Sequence, residues 1–286
     1  MAALAKVVED IQLISVQFKD LDFLIDYSWQ IYQNPLTKFY PIVDQKSDIE
    51  SMYKHAFMNG NLWVAKSGQQ YAILPLIIDE DKKFIQANGG IAAKTHFVEF
   101  SSFFLGNLRK SFPGYTFYCG YPGSHLEAMS FFPAHGFQMD DVLWRYESKL
   151  TDLVVQRDPV FEPLNEQNYK AFNSYHQTYF PDVYWTAPLI YEHQDRWSVV
   201  VVGEQTIKGI AGAIHYVKND VRYAEIYFFH GSDVETIMSA LIVELKKQEV
   251  QELLYLVDKN EIQHLAFVER IGFKQMDDYY GFIIEL

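Results

Sequence analysis

An internal repeat constrains the fold of this chain more than any other feature. Residues 136–141 read GFQMDD, and residues 272–278 read GFKQMDD, with one additional residue, Lys274, in the second copy. Gly272 follows Gly136 by 136 residues, which is nearly half of the 286-residue chain. Repetition at this distance predicts two copies of one domain, and a chain of this length exceeds the usual size of a single core.

The order of the predicted elements supports the repeat. In the first half, strand patterns at 61–68, 71–78, 84–87 and 115–121 accompany helix patterns at 97–110 and 124–135. In the second half, strand patterns at 196–203, 207–217, 222–229 and 253–258 accompany helix patterns at 232–247 and 260–271. Each half therefore predicts a mixed α+β domain, and we place the domains at 1–154 and 155–286.

One helix start in the second half has a recognisable cap. Ser232 and Glu235 have the spacing of a capping box, and Val234, Ile237 and Leu241 begin an apolar stripe behind it. Such a stripe predicts an amphipathic helix that packs on a sheet.

Composition and charge exclude several classes of function. The net charge is −13, which opposes nonspecific nucleic-acid binding and favours cationic partners such as amines. Residues 1–150 carry a net −3 and residues 151–286 a net −10. The sequence predicts no metal site, no membrane span and no signal peptide, so we expect a cytoplasmic protein. The single cysteine, Cys119, lies in a strand pattern and is expected to be a buried thiol.

The second half contains Asn260, then Ala266 and Phe267 on a helix pattern, then the Gly272-Phe273 pair. This order resembles the GNAT superfamily of N-acyltransferases, and the resemblance extends over nearly the whole chain. It implies two tandem GNAT-like domains, each with a mostly antiparallel, splayed sheet flanked by helices. It also implies that acetyl-CoA lies between the splayed strands, with its pyrophosphate over a helix N-terminus.

The resemblance directs attention to the loop that would hold the pyrophosphate. The family uses Arg/Gln-x-x-Gly-x-Gly/Ala there, and neither half has that motif intact. The first half has a longer loop in which Gly89, Gly90, Lys94 and the N-cap candidate Thr95 are the predicted cofactor residues. In the second half, acidic residues beside Ser232 would repel CoA.

The family's catalytic tyrosine has no counterpart in this chain. The matching positions hold Phe132 in the first half and Val268 in the second. Acyl transfer needs a base for the amine and an acid for the departing thiolate. The candidate catalytic residues are therefore Tyr121, His125, Glu99 and Glu225.

An aromatic cluster in the second half matches the family's acceptor pocket. Tyr179, Tyr184 and Trp185 are the candidate substrate-binding residues, although a structural role would explain them equally. The function that the resemblance implies is acetyl transfer from acetyl-CoA to a small-molecule or peptide amine, in a chain that could form a homodimer.

Three interpretations of the sequence remain open. In one, the first half holds the cofactor. In another, the second half is active, with Glu225 as base and the backbone of residues 227–229 along the pantetheine. In the third, the chain is an inactive relative that binds another ligand or a protein.

Overall fold

The computed structural model describes residues 10–39, 45–154, 159–181, 183, 185–203, 206–218 and 220–286. The chain divides into two compact units. The N-terminal unit contains Met1–Val142 and Asp278–Leu286, and the C-terminal unit contains Leu143–Asp277.

The N-terminal unit is a sheet with helices. Its strands are β1 (Gln12–Ile14), β2 (Leu62–Ser67), β3 (Gln70–Asp79), β4 (Phe84–Ala87), β5 (Ala92–Ala93) and β6 (Thr116–Tyr121). Its helices are α1 (Leu21–Tyr32), α2 (Lys46–Met58), α3 (Phe97–Ser111) and α4 (Leu126–Ala134). The sheet order is β1-β2-β3-β4-β6, with β5 paired to β3.

The C-terminal unit repeats this plan. Its strands are β8 (Glu162–Pro163), β9 (Trp197–Val202), β10 (Gly209–Lys218), β11 (Val221–Gly231) and β12 (Glu252–Asp258). Its helices are α5 (Tyr169–Tyr179), α6 (Ala187–Glu192), α7 (Val234–Lys247) and α8 (Ile262–Ile271). The sheet order is β12-β11-β10-β9-β8, and the pairs are antiparallel except for β11 with β12.

Two long strands pass from one unit to the other. These are β7 (Gln138–Lys149) and β13 (Lys274–Glu285), and each directly follows one copy of the repeated Gly-Phe pair. The end of β7 pairs with β12 in the C-terminal unit, and the end of β13 pairs with β6 in the N-terminal unit. The two units have therefore exchanged their last strands. For this reason the observed division at 142/143 and 277/278 differs from the predicted domains, 1–154 and 155–286.

The registers of the exchanged strands preserve the repeat. Tyr121 of β6 is opposite Tyr280, and Val257 of β12 is opposite Trp144. Both members of the second pair are displaced from the first by 136 residues, the distance between the repeated glycines.

Helix α7 shows why the C-terminal sheet holds together. Its apolar stripe is buried, including Ile237, Met238, Leu241 and Leu245, and it packs with strand residues in one core cluster. The N-cap is Asp233, whose carboxylate accepts a hydrogen bond from the Thr236 N–H at 3.1 Å. The predicted Ser232 cap is therefore wrong by one residue, because Asp233 already satisfies the first turn.

No helix within the described residues is both long and apolar enough to span a bilayer.

Candidate active site

The two parallel strands at the centre of the C-terminal sheet separate partway along their length. Strands β11 and β12 pair from Tyr223 opposite Glu252 to Ile226 opposite Tyr255. Beyond that point β11 continues on β10 alone, and β12 continues on β7. The result is a V-shaped opening between β11 and β12, which we call the C-terminal cleft.

A β-bulge lies where this cleft begins. Gly212 of β10 is opposite Phe228 and Ala213 is opposite Ile226, so Tyr227 is an extra residue without a partner in the ladder. A bulge of this kind re-aims the side chains that follow it. Phe229 packs with the core under α7, whereas Phe228 belongs to the core under α5 and α6.

Glu225 lies two residues before the bulge, on the face covered by α5 and α6. The Tyr216 hydroxyl donates to Glu225 Oε2 at 3.3 Å, and Tyr216 packs on the core of that face. Burial raises the pKa of the Glu225 carboxyl, while Tyr216 and the Arg145 guanidinium oppose that rise. A carboxylate with a raised pKa is suited to accept a proton near neutral pH.

His230 follows the bulge and contacts two tyrosines of α5. The Tyr175 hydroxyl lies 2.9 Å from His230 Nδ1, and the Tyr179 ring stacks on the imidazole with centroids 3.6 Å apart. Tyr179 is 47% exposed. The structure thus brings one of the predicted substrate residues to the end of β11.

The other predicted substrate residues separate from Tyr179. The Trp185 ring lies 5.4 Å from that of Trp197, and Trp197 in turn lies 5.9 Å from Tyr227, the bulged residue. The Arg196 guanidinium lies over Trp185, 6.0 Å from its centroid. Tyr184, which we also predicted, lies outside the described residues.

His264 occupies the opposite face of the same cleft. Its ring meets Phe229 of β11 edge-on with centroids 4.5 Å apart, and its Nδ1 lies 3.5 Å from the Tyr255 hydroxyl of β12. The Glu261 carboxylate lies 3.7 Å from the same nitrogen. Burial lowers the pKa of His264, and the nearby His230 lowers it further, whereas Glu261 opposes both.

A cavity of about 410 Å³ lies where α7 and α8 begin, on the face that holds His264. Ser232, Gln263 and Arg270 line it together with Asp233 and Glu235. The Arg270 guanidinium lies 3.1 Å from the Glu235 carboxylate. The helix start thus has one cation and two anions, so Asp233 retains the negative charge that the sequence predicts to oppose a phosphate.

The corresponding strands of the N-terminal unit also separate, but side chains fill the opening. Strands β4 and β6 pair in parallel only from Phe84 to Gln86. The completely buried Tyr121 hydroxyl accepts a hydrogen bond from the Ile91 N–H at 2.6 Å. A Cβ on Gly90 would lie 3.0 Å from the Tyr121 ring. Gly89 and Gly90 are both buried and have φ values of +99° and +77°.

The other predicted residues of this unit are spread around its loop. His125 is completely buried, and its Nδ1 caps α4 by accepting from the Ala128 N–H at 3.2 Å. Burial lowers the His125 pKa to about 4. Glu99 is exposed on the first turn of α3, 3.8 Å from His96. These residues do not surround an open site in the described structure.

Lys94 and Thr95 lie at the exposed end of the loop that precedes α3. The Thr95 hydroxyl donates to the Gln70 side chain at 3.1 Å. The N-cap position belongs to His96, which has a left-handed backbone, so the expectation that Thr95 caps α3 is wrong. Strand β5 explains the shift, because its pairing with β3 holds the loop extended until residue 93.

Sequence reasoning missed His230 and His264. His230 entered it only as a spacer before the helix, and His264 matched no family motif. A usable signal existed at one of them, because His264 precedes Val268, the position of the missing tyrosine, by one helical turn on the same face. No group of three His, Cys, Asp or Glu side chains within the described residues could hold a metal ion.

Solved structures share the arrangement described above. A GCN5-related N-acetyltransferase from Sphaerobacter thermophilus superposes with a TM-score of 0.70 at 10% identity, over 96% of this chain and 95% of that one. A tandem GNAT protein from the clavulanic acid biosynthesis pathway gives 0.58 at 11% identity, over 96% and 98% of the two chains. The chain has the GNAT fold.

A third structure with the GNAT fold belongs to a larger protein. It is a GCN5-related glucosamine N-acetyltransferase region of a fungal multi-domain β-N-acetylglucosaminidase, with a TM-score of 0.66 and 14% identity. That match covers 98% of this chain and 38% of the fungal one. Neither a protein-family model nor a curated protein matches the sequence. The predicted fold class, two tandem GNAT-like domains, is confirmed.

Proposed function

We propose that the protein transfers an acyl group, most simply acetyl, from CoA to a primary amine in the C-terminal cleft. The observation that carries this proposal is the coincidence of three features at one place: separated parallel strands, a bulge at Tyr227 and ionisable groups on both faces. A bulge leaves backbone outside the ladder, where an N–H can bind a carbonyl oxygen.

The face with α5 is the acceptor side in this proposal. Glu225 accepts a proton from the acceptor ammonium, because burial raises the pKa of its carboxyl and its charge attracts a cation. Tyr179 and Trp185 border this side near the bulge and supply aromatic surface for the acceptor. The net charge of −10 in residues 151–286 also favours a cationic amine.

The face with α7 and α8 is the donor side. Acetyl-CoA supplies the acyl group as a thioester when it is bound. The cavity at the starts of α7 and α8 fits the phosphate end through Arg270, which exchanges its contact with Glu235 for one with phosphate. Because Asp233 remains close, we expect acetyl-CoA to bind weakly.

The N-terminal unit supports the fold in this proposal. Gln86 matches Glu225 in ladder position, and Ala128 precedes His264 by 136 residues, so neither ionisable group of the cleft has a counterpart. Tyr121 fills the opening. The rival site at Gly89, Gly90, Lys94 and Thr95, with Tyr121, His125 or Glu99 in catalysis, remains a prediction that the same experiments test.

Two measurements test the proposal. Calorimetry with acetyl-CoA measures binding without any knowledge of the acceptor. Thiol release from acetyl-CoA is then followed with tyramine, spermidine, glucosamine and lysine as probe amines. We expect binding in the micromolar to millimolar range and amine-dependent thiol release with at least one probe.

Matched variants separate the two units. Arg270→Ala is expected to weaken acetyl-CoA binding, whereas Lys94→Ala is not. The opposite result would place the cofactor in the N-terminal unit. Absence of binding at millimolar acetyl-CoA would overturn the proposal and favour a chain that binds another ligand.

A further inference from the structure

We infer that His264 is the residue that protonates the departing thiolate in the C-terminal cleft. This inference rests on the proposed function and goes beyond it by assigning the acid. The sequence left that role open, because neither half has the family's tyrosine at the matching position.

Position is the first argument. The His264 ring contacts Phe229 of β11 at 4.5 Å between centroids, and its Nδ1 lies 3.5 Å from the Tyr255 hydroxyl of β12. The imidazole therefore touches both strands where they separate. Its side chain is on the α7 and α8 face, since Tyr255 and Phe229 both pack in that core.

The two faces of the sheet separate the two proton transfers. Glu225 contacts Tyr216 on the α5 face, and His264 contacts Tyr255 on the α7 face. A thioester that passes between the strands would present its carbonyl carbon to the first face and its sulfur to the second. An acid and a base on opposite faces can act in one reaction without neutralising each other.

The chemical step balances. The amine nitrogen forms a bond to the carbonyl carbon and loses a proton to Glu225. The bond between carbon and sulfur breaks with its electron pair on sulfur, and the sulfur takes the proton from His264 Nε2. The products are an amide and a thiol, and solvent restores both side chains.

Neighbouring groups hold the imidazole for this role. Glu261 on α8 lies 3.7 Å from Nδ1 and favours the protonated form, while His230 on β11 disfavours it. The Tyr255 hydroxyl and Glu261 both face Nδ1, which leaves Nε2 for the proton transfer. His264 is 9% exposed, so little water competes for the proton.

A rescue experiment tests the assignment. His264→Ala is expected to lower kcat by ~100-fold or more, the range for loss of a general acid, while acetyl-CoA affinity changes little. Side chains on a helix lean toward its N-terminus, so a tyrosine at position 268 would place its hydroxyl over the turn of residue 264. The double variant His264→Ala with Val268→Tyr is therefore expected to recover activity. The matched control, His264→Ala with Val268→Phe, fills the same space without a proton and is expected to stay inactive.

The pH profile and NMR give readouts that a structural role would not move. In the wild type the alkaline limb of kcat is expected at the pKa of His264, and in the tyrosine variant it should move toward ~10. The ¹⁵N signals of the His264 imidazole should shift when acetyl-CoA binds, independently of turnover.

Three outcomes would overturn the inference. They are a His264→Ala variant within threefold of wild-type kcat, equal activity of the phenylalanine and tyrosine double variants, and imidazole signals that ignore acetyl-CoA. If the wild type itself neither binds acetyl-CoA nor releases thiol, the proposed function fails first and the inference fails with it. Circular dichroism of each variant confirms that the fold is retained.

Discussion

The Tyr121 hydroxyl accepts a hydrogen bond from the Ile91 N–H at 2.6 Å, and this bond closes the N-terminal opening. Burial raises the pKa of Tyr121 well above its ordinary value. Tyr121→Phe leaves a buried N–H without its partner, so we expect a loss of ~1–3 kcal/mol in the free energy of unfolding. Urea denaturation measures this loss. Acetyl transfer is expected to persist, because the reacting cleft is in the other unit; abolished turnover with unchanged stability would contradict this.

Gly90 permits the same closure through its backbone and its lack of a side chain. Its φ of +77° is costly for other residues, and a Cβ there would lie 3.0 Å from the Tyr121 ring. Gly90→Ala is expected to destabilise the protein by ~1–3 kcal/mol. Gly106 of α3 provides a matched control, because a Cβ added there would meet no atom within 4 Å outside the backbone of its own helix. Gly106→Ala should stabilise by ~0.5–1 kcal/mol in the same denaturation measurement.

His125 makes stability depend on pH. Burial lowers its pKa to about 4, from an unfolded value near 6.5. The unfolded state therefore binds more protons between these values, and stability falls as the pH is lowered from about 6.5 to about 4. The full effect is about 3 kcal/mol. His125→Asn retains a side-chain cap for α4 but does not titrate, so its unfolding free energy should change less over this window. Identical pH dependence in both proteins would exclude this role.

Glu225 is expected to be essential for turnover but not for the fold. Glu225→Gln retains an oxygen for the Tyr216 hydroxyl and should lower kcat by ~100-fold or more. Because the folded pKa is raised, the unfolded carboxyl ionises first and wild-type stability decreases as pH rises above ~4.3. The variant lacks this penalty, so its stability relative to wild type should grow over that range. Gln86→Ala, at the matching position of the N-terminal unit, is the control for activity.

Asp233 opposes the proposed donor and stabilises α7 at the same time. Asp233→Asn keeps an N-cap for the Thr236 N–H but removes the charge. We expect acetyl-CoA to bind ~2–5-fold more tightly, because like charges at a helix start cost ~0.3–1 kcal/mol each. Calorimetry measures the affinity. Asp233→Ala separates the two effects, since it also removes the charge but should lose ~1 kcal/mol of stability.

The exchanged strands make each unit depend on distant sequence. Phe282 of β13 is completely buried and stacks on Phe132 at 5.1 Å between centroids, in the core of the N-terminal unit. Phe282→Ala is expected to cost ~3–5 kcal/mol. A fragment of residues 1–154 lacks this strand and should not fold as a stable monomer, whereas adding a peptide of residues 278–286 should increase its order. A cooperatively folding 1–154 fragment, measured by thermal denaturation, would contradict the exchange.

Much of the architecture follows from local sequence. The pattern at 84–87 coincides with β4, and the pattern at 253–258 falls within β12, because alternating or continuous apolar residues specify a strand wherever it packs. The pattern at 97–110 likewise gives α3 almost to the residue. The Gly-Phe repeat predicted the duplication, since each copy ends one helix and starts the next strand.

Local pattern could not reveal which sheet each last strand joins. Strands β7 and β13 have similar sequences, and pairing across the repeat satisfies the same hydrogen bonds as pairing within it. The choice depends on long-range contacts, such as that of Phe282 with Phe132, which sequence spacing does not encode.

The order of residues alone was enough to predict the duplicated fold, the acidic start of α7 and the absence of the family's tyrosine. Packing in three dimensions was needed to show that Tyr121 fills one opening, and that His230, His264 and Glu225 surround the other. These side chains occupy their faces because a bulge at Tyr227 and the separation of β11 from β12 orient them. Residues 225, 230 and 264 meet through sheet geometry, and no motif along the chain joins them.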